Sequence, residues 1–224
     1  LDANATHITL TLEGASADLQ VLSFTGREAL NQPFRFDLEL VSARPDLKLE
    51  ELLHKPGVLT FGATGEGIIH GLVYRTEQGD SGKTLTRYSI SLVPQLAYLR
   101  HNHDQQIFQN LTVPKIIGQV LEARGILADA YSFQLGAEYP QREYCVQYDE
   151  SSLAFISRRM EHAGIFYWHE HTDVAHTLCF TDNNNNVRMP HPAFETLAVG
   201  DGVLDRLEDH YSFRTGTWTV RDHN

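Results

Sequence analysis

The chain has 224 residues, a formal net charge of −11 and an apolar fraction of 42%. Such a length and composition predict one or two globular domains with a substantial core. Binding to a phosphate backbone depends on clustered Lys and Arg, so the acidic balance argues against a nucleic-acid partner. No run approaches the roughly 20 apolar residues that cross a bilayer, so we expect no membrane-spanning segment.

The N-terminus and the cysteines indicate the compartment in which the protein is made. Residues 1–4 lack the basic and apolar regions of a secretion signal, and the chain starts without methionine, as a trimmed chain would. Cys145 and Cys179 are too few for a disulfide scaffold. We therefore expect two buried thiols in a reducing cytoplasm, and a bridge only if their two strands are neighbours.

The first predicted domain, residues 1–100, is mostly β. Residues 7–12 and 34–40 alternate polar and apolar side chains, and residues 19–24 form a further strand before a turn at 25–28. Many short strands separated by turn signals are typical of a β-barrel or sandwich.

A hairpin and a short helix complete this region. Residues 67–77 and 86–92 are predicted to pair across a Gly-Asp-Ser-Gly turn. Asp46 is the expected cap of a helix whose leucines face inward, and Pro56 with Gly57 stops that helix.

Residues 101–204 are predicted to form an α/β insertion. Thr112 precedes a helix with apolar residues at helical spacing, and Gly125 ends it. A second helix starts at Asp149 or Ser151, either of which can cap it, and ends at a glycine, Gly164.

Strands flank the second helix, and several of them are rich in aromatic residues. Residues 144–148 alternate as a half-buried strand does, residues 165–168 start another strand, and residues 177–181 form a third. An exposed aromatic group would suit carbohydrate binding, but alternation with polar neighbours favours core packing for Tyr144, Tyr148, Phe166, Tyr167 and Trp168.

Residues 205–224 are predicted to begin a second β-barrel. Tyr211, Phe213 and Thr215 precede Gly216 in a late strand or hairpin, and no stop signal precedes Asn224. We therefore expect a fragment whose second barrel is incomplete. Because such a barrel exposes a sheet edge, the fragment is expected to be less stable than a longer chain with the missing strands.

Twelve histidines raise the question of a metal site. His169 and His171 would point to one face of a strand, with Glu170 and His176 nearby, which suggests a metal-dependent hydrolase as one alternative. The spacing lacks the four ligands of structural zinc and the His-x-x-x-His pattern of a zinc-binding helix. We therefore assign no metal, catalytic or cofactor-binding residue and expect no cofactor.

Three other candidate sites have simpler explanations. His101, His103 and Asp104 fit a solvated connector, and no Gly-x-Ser-x-Gly elbow presents a nucleophile. The glycines from residue 65 to residue 71 open a strand and depart from the dinucleotide fingerprint. Asp149 and Glu150 are favoured at a helix N-terminus by its dipole.

Four segments, in order along the chain, resemble the VgrG family of type VI secretion spike proteins. The strongest is Tyr144-x-Val146-Gln147-Tyr148-x-Glu150-Ser151, continued by Phe155, Arg158, Met160, Glu161, Gly164, Ile165, Tyr167 and Trp168. The others are Arg27-Glu28-Ala29-Leu30-Asn31-Gln32-Pro33-Phe34, His70-Gly71-Leu72-Val73 with the strand at Tyr88, and Ile107-Phe108-Gln109-Asn110-Leu111-Thr112-Val113-Pro114.

The resemblance implies a fold similar to the base-plate hub of contractile phage tails, mainly β with an α/β insertion between two β-barrels. It also implies a homotrimer that docks on the Hcp tube, contacts base-plate proteins and carries effectors into target cells. Such a protein assembles in the bacterial cytoplasm, leaves through the type VI machine and is not an enzyme. The hub of a phage tail or tailocin is the alternative within the same fold.

Overall fold

A computed structural model describes residues 8–14, 19–62 and 67–187 of the chain. All the elements described below lie within one compact unit, residues 1–186. The expected strands of the second barrel, residues 205–224, lie outside the described residues. The boundaries at residues 100 and 204 stay predictions.

The first layer is a six-stranded antiparallel sheet that curls as a half-barrel, which confirms the expected mainly β fold. Its spatial order is β1-β4-β5-β6-β3-β2. Alternate residues of β3, β5 and β6 are buried on the concave side, as the period of two requires. The core includes Phe34, Leu38, Leu40, Leu59, Val73, Tyr88, Ile90 and Leu92. The strands are β1 Thr9–Leu12, β2 Gln20–Ala29, β3 Gln32–Ser42, β4 Pro56–Phe61, β5 Gly67–Ser81 and β6 Thr86–Val93.

The turn predicted at residues 25–28 was wrong. Strand β2 continues through it to Ala29, and the hairpin closes further along the chain, around Asn31. Asn31 has a φ of 60°, a conformation that asparagine tolerates better than most residues. Gly26 is needed for packing and not for a turn, because a Cβ there would lie 2.1 Å from the Phe36 ring.

The short helix and the hairpin exist, but their details differ from the prediction. Helix α1 spans Leu49–Leu52, but Lys48 is its N-cap and makes no side-chain capping bond, so the Asp46 cap was wrong. Of its leucines Leu52 is buried, whereas Leu53, which follows the helix, is exposed. Strands β5 and β6 pair as predicted, but β5 continues to Ser81, through three of the four residues of the predicted Gly-Asp-Ser-Gly turn, so that turn was wrong.

The second layer holds the predicted α/β elements. A 3₁₀ helix, Gln95–His101, leads into β7 His103–Leu111 and α2 Val113–Ala123; then follow β8 Tyr131–Gln134, β9 Arg142–Ser151, α3 Ser152–Ala163, β10 Phe166–His171 and β11 His176–Thr181. A second 3₁₀ helix, Asn184–Asn186, follows β11. Strands β10, β11 and β8 form one sheet in that order, and β7 pairs with β9 in a separate ribbon. Their shared core includes Ile116, Ile117, Leu121, Phe155, Ile156, Tyr167 and Phe180.

Both long helices end where the sequence predicts. The hydroxyl of Ser151 caps α3 by accepting from the Ala154 N–H at 3.1 Å, so Ser151 and not Asp149 is the cap. Gly164 and Gly125 follow the two helices with φ of 69° and 79°, a conformation that costs glycine little.

Candidate functional site

Four histidines meet where the half-barrel contacts the α/β layer, and we call this contact the histidine joint. His70 comes from β5, His169 and His171 from β10, and His176 from β11. The buried ring of Phe34 lies among them, with centroid distances of 5.0, 4.7 and 5.8 Å to His169, His171 and His176. The predicted cluster therefore exists in part and gains His70, a residue about a hundred positions away that no sequence spacing could indicate.

A series of hydrogen bonds crosses the joint. The backbone N–H of Gln95 donates to His176 Nε2 at 3.1 Å, and His176 Nδ1 lies 2.9 Å from His70 Nδ1. The N–H of His70 donates to His171 Nδ1 at 3.2 Å, and His171 Nε2 lies 3.2 Å from a carboxylate oxygen of Glu28. Each of these contacts joins Glu28, His70 or Gln95, in the first 95 residues, to a histidine of β10 or β11.

Burial makes this environment unfavourable for positive charge. Desolvation lowers the pKa of His169 and His176 to about 3, and the neighbouring histidines add to the effect. Desolvation also lowers the pKa of His70, with a smaller contribution from His171. His169 keeps some exposed surface, yet its Nε2 is buried and has no hydrogen-bond partner. Neutral imidazoles are therefore the stable form of His70, His169 and His176 at neutral pH.

The joint does not have the geometry of a metal centre. Glu170 is exposed on the opposite face of β10 from His169 and His171, as strand alternation requires. The Nε2 of His176 already accepts from a backbone N–H. Within the described residues no group of three or more His, Cys, Asp or Glu could hold a metal ion.

The other candidate groups serve structural roles. His101 ends a 3₁₀ helix and its Nε2 lies 2.8 Å from the Tyr74 hydroxyl, while Asp104 forms an ion pair with Arg124 at 2.5 Å. His101 and His103 are exposed, as predicted for a solvated connector, but the segment is a 3₁₀ helix followed by β7 and not a loop. Glu150 pairs with Arg158 of the helix that follows it. Cys145 and Cys179 are free and buried, in strands of different sheets.

The β7–β9 ribbon has an exposed apolar face. Ile107, Tyr144 and Tyr148 are 59%, 55% and 73% exposed, whereas Cys145 and Gln147 are buried. Core packing was thus the wrong interpretation for Tyr144 and Tyr148, because the buried face of β9 is the one that Cys145 and Gln147 occupy. Tyrosine combines a large apolar ring with a polar hydroxyl, a chemistry that is enriched at protein interfaces. We call it the ribbon face.

The outer face of the half-barrel is polar instead. Arg35 pairs with Asp37 at 2.8 Å, and the Ser91 hydroxyl donates to the same carboxylate at 2.5 Å. The hydrogen bond from Arg35 lowers the pKa of Asp37. This face is a solvated network, typical of an antiparallel sheet with one wet side.

Comparison with known proteins places this fold in a family. The phage tail baseplate hub (GPD) family matches residues 27–224. The chain belongs to this family. It is 50% identical over 228 residues to the type VI secretion system spike protein VgrG5 of Pseudomonas aeruginosa, and 48% identical over 227 residues to VgrG4b of the same organism. These matches confirm the VgrG resemblance.

Each of these two matches covers 99% of the chain but only 29% and 28% of the relative, so the chain spans under a third of their length. Among solved structures, an E. coli component of the type VI secretion system, described as similar to the T4 bacteriophage tail proteins gp27 and gp5, matches with a TM-score of 0.77. That match has 29% identity and covers 83% of this chain and 53% of the other.

A tail protein of Neisseria meningitidis shares the hub fold alone, with a TM-score of 0.54, 16% identity, and coverage of 78% of this chain and 49% of that one. Of the helices in the described ranges, none combines the length and apolarity that crossing a bilayer requires.

Proposed function

We propose that this chain is the hub part of a type VI secretion spike, which forms a homotrimer, docks on the Hcp tube, contacts base-plate proteins and carries effectors outward. The observation that carries the proposal is the identity of 48–50% to spike proteins over 99% of the chain. The role is mechanical and not enzymatic. The protein is expected to assemble in the bacterial cytoplasm and to leave through the machine itself.

The geometry of the chain suits a mechanical part. The half-barrel and the α/β layer are held together by the buried rings of the histidine joint and by hydrogen bonds, including two between Asn31 and Tyr167. A close-packed interior transmits force with little deformation. A hub built this way moves as one body when a sheath contracts behind it.

The ribbon face is the surface that we propose as part of the trimer contact. Stable assemblies bury apolar and aromatic side chains, and tyrosine is enriched in the cores of interfaces. Ile107, Tyr144 and Tyr148 supply that chemistry at one place. The partner we expect there is a second copy of the chain, since the proposed hub is a homotrimer.

A secretion assay in the host bacterium tests the function. Deleting the gene should stop release of the tube protein Hcp into the medium, and restoring the gene should restore release. Unchanged Hcp release in the deletion strain would exclude a required spike role. Native mass spectrometry of the purified protein tests the trimer separately.

The fold shared with the Neisseria tail protein supports one second candidate, the hub of a phage tail or tailocin. In that case the gene product is recovered in contractile particles released by lysis. Electron microscopy of particles from the deletion strain decides between the two: tail particles that lose their base plates indicate the tailocin hub.

A further inference from the structure

The hydrogen bonds of the histidine joint determine where its protons lie. A backbone N–H can only donate, so His176 Nε2, 3.1 Å from the Gln95 nitrogen, must be an acceptor without a proton. A neutral His176 then carries its proton on Nδ1. Since His70 Nδ1 lies 2.9 Å away, it must accept, and the His70 proton lies on Nε2. One arrangement of neutral tautomers therefore satisfies both contacts.

A protonated imidazole carries N–H groups on both nitrogens. A charged His176 would place an N–H against the N–H of Gln95, and a charged His70 would place one against His176 Nδ1–H. Both contacts would become repulsive. His171 is different: its imidazolium loses the bond from the His70 N–H, but it donates instead to the His70 carbonyl at 3.2 Å and to Glu28 at 3.2 Å.

The surroundings offer little compensation for added charge. Among the described residues, Glu28 of β2 is the carboxylate that contacts the cluster, and it contacts His171. The other titratable neighbours on β10 are His169, His171 and Tyr167, whose ring contacts that of His169. Arg100 is a more distant cation that acts on the pKa of Tyr167. Phe34 from β3 and Gln95 contribute no charge. A second or third cation would thus be placed in an apolar site beside cations.

We propose that the histidine joint is an acid-sensitive latch, closed by neutral His70 and His176 and opened when they are protonated. Opening separates β10 and β11 from the half-barrel and exposes the ring of Phe34. The latch is a property of the fold beyond the proposed hub function, and it does not depend on that function.

The direction of the pH effect follows from the lowered pKa values. The ordinary histidine value is 6.5, and the closed state lowers it for His70, His169 and His176. The latch is therefore fully stable above pH 6.5 and weakens as the pH falls below 6.5, toward about 3 for His169 and His176. His169 and His176, whose pKa in the closed state is about 3, each raise the opening constant about tenfold per pH unit in that window, so together they raise it about 100-fold at pH 5.5, and the lowered pKa of His70 adds to this effect.

Amide hydrogen exchange of the 224-residue chain tests the latch. The amides of Gln95 and Tyr167, corrected for chemical exchange and referred to Val120 in α2, should lose protection about 100-fold between pH 7.5 and 5.5. The double variant His70→Gln/His176→Gln offers a donor and an acceptor without titrating, so its joint amides should show much less change with pH. The control His103→Gln removes an exposed histidine and should keep the wild-type response.

Equal protection at pH 7.5 and 5.5 in the wild type, or a double variant with the wild-type pH response, would overturn the proposal. The histidine ring ¹⁵N shifts of the wild type give a readout that needs no variant. His176 should be neutral at pH 7.5, with its proton on Nδ1. Ring signals of His70 and His176 that titrate near 6.5 while the Gln95 amide stays protected would also overturn it.

Discussion

Asn31 and Tyr167, 136 residues apart in sequence, form two hydrogen bonds with each other. The Asn31 N–H donates to the Tyr167 carbonyl at 3.0 Å, and the Tyr167 N–H donates to Asn31 Oδ1 at 3.0 Å. Strand β10 is an edge of its sheet, and this hairpin tip pairs with the edge where a neighbouring strand would otherwise bind. The contact thus fixes the α/β layer on the half-barrel without merging their sheets.

Replacing Asn31 tests this contact. Asn31→Gly keeps the backbone conformation but leaves the buried Tyr167 N–H unpaired, so we expect a loss of about 1–2 kcal/mol in the free energy of unfolding. Asn31→Ala adds a left-handed penalty of about 1 kcal/mol, whereas Asn31→Asp keeps the acceptor and stays close to wild type. Urea denaturation measures all three.

The control for this series is Asn110→Gly, since Asn110 has a φ of 54° in an exposed position. It makes the same chemical change at a similar backbone conformation, away from the contact with β10. If Asn31→Gly proves as stable as Asn110→Gly, the prediction is refuted.

Phe34→Ala is expected to lower the free energy of unfolding by about 3–5 kcal/mol, because it leaves a cavity between the half-barrel core and the histidine rings. Phe34 is 1% exposed and packs on Phe36 as well as on the joint. The same change should shift the ring signals of His169 and His171 in NMR spectra. A loss below about 1 kcal/mol would show that the ring is not a shared part of both layers.

Asp182 organises the loop that follows β8. Its carboxylate accepts the N–H groups of Gly136 and Ala137 at 2.8 Å each and the Tyr139 hydroxyl at 2.9 Å. These bonds lower the pKa of Asp182, and burial with the carboxylate contact raises that of Tyr139 to about 12. Asp182→Ala should therefore speed amide exchange at Gly136 and Ala137 while leaving α2 unchanged.

The same carboxylate gives a second pH dependence, which comes from a stabilised negative charge, whereas that of the latch comes from neutral histidines. Its folded pKa lies below 3.8, so the loop contacts are fully present above that value and are lost as the pH falls through the lowered pKa. Exchange at Gly136 should consequently stay slow at about pH 5, where the latch has already weakened. Simultaneous loss of protection at both places at that pH would contradict this order.

The ribbon face offers a test of the proposed trimer that does not unfold the protein. Ile107→Glu/Tyr148→Glu changes two exposed side chains, so the free energy of unfolding should change by less than about 0.5 kcal/mol per substitution. Sedimentation velocity should show weaker self-association, because charged groups are costly in the core of an interface.

The matched control is Gln78→Glu/Thr84→Glu, which adds the same charge at exposed positions of the β5–β6 hairpin, away from the ribbon face. This variant should associate more strongly than the Ile107/Tyr148 variant. Equal self-association of the two variants would exclude a specific role for the apolar side chains of the ribbon face.

Much of the local structure follows from the sequence alone. The alternation in β3 and β6, the stop at Gly164 and the pairing of β5 with β6 depend on neighbouring residues, so the sequence predicts them. It left the cap of α3 open between Asp149 and Ser151. The turn predicted at residues 25–28 was wrong. Gly26 suggested a turn, but a glycine is needed there because a Cβ would clash with the Phe36 ring. Local signals cannot report a contact made by a side chain on another strand.

The family signature, and with it the hub fold, was likewise determined by the sequence. Only the tertiary structure decided which face of β9 is buried, because a helix can cover either side of an alternating strand, and here Cys145 and Gln147 are the covered residues. It also decided the joint. His70 meets His176, and Asn31 meets Tyr167, only after two separate sheets dock, and contacts at such sequence separations leave no periodic trace in the chain.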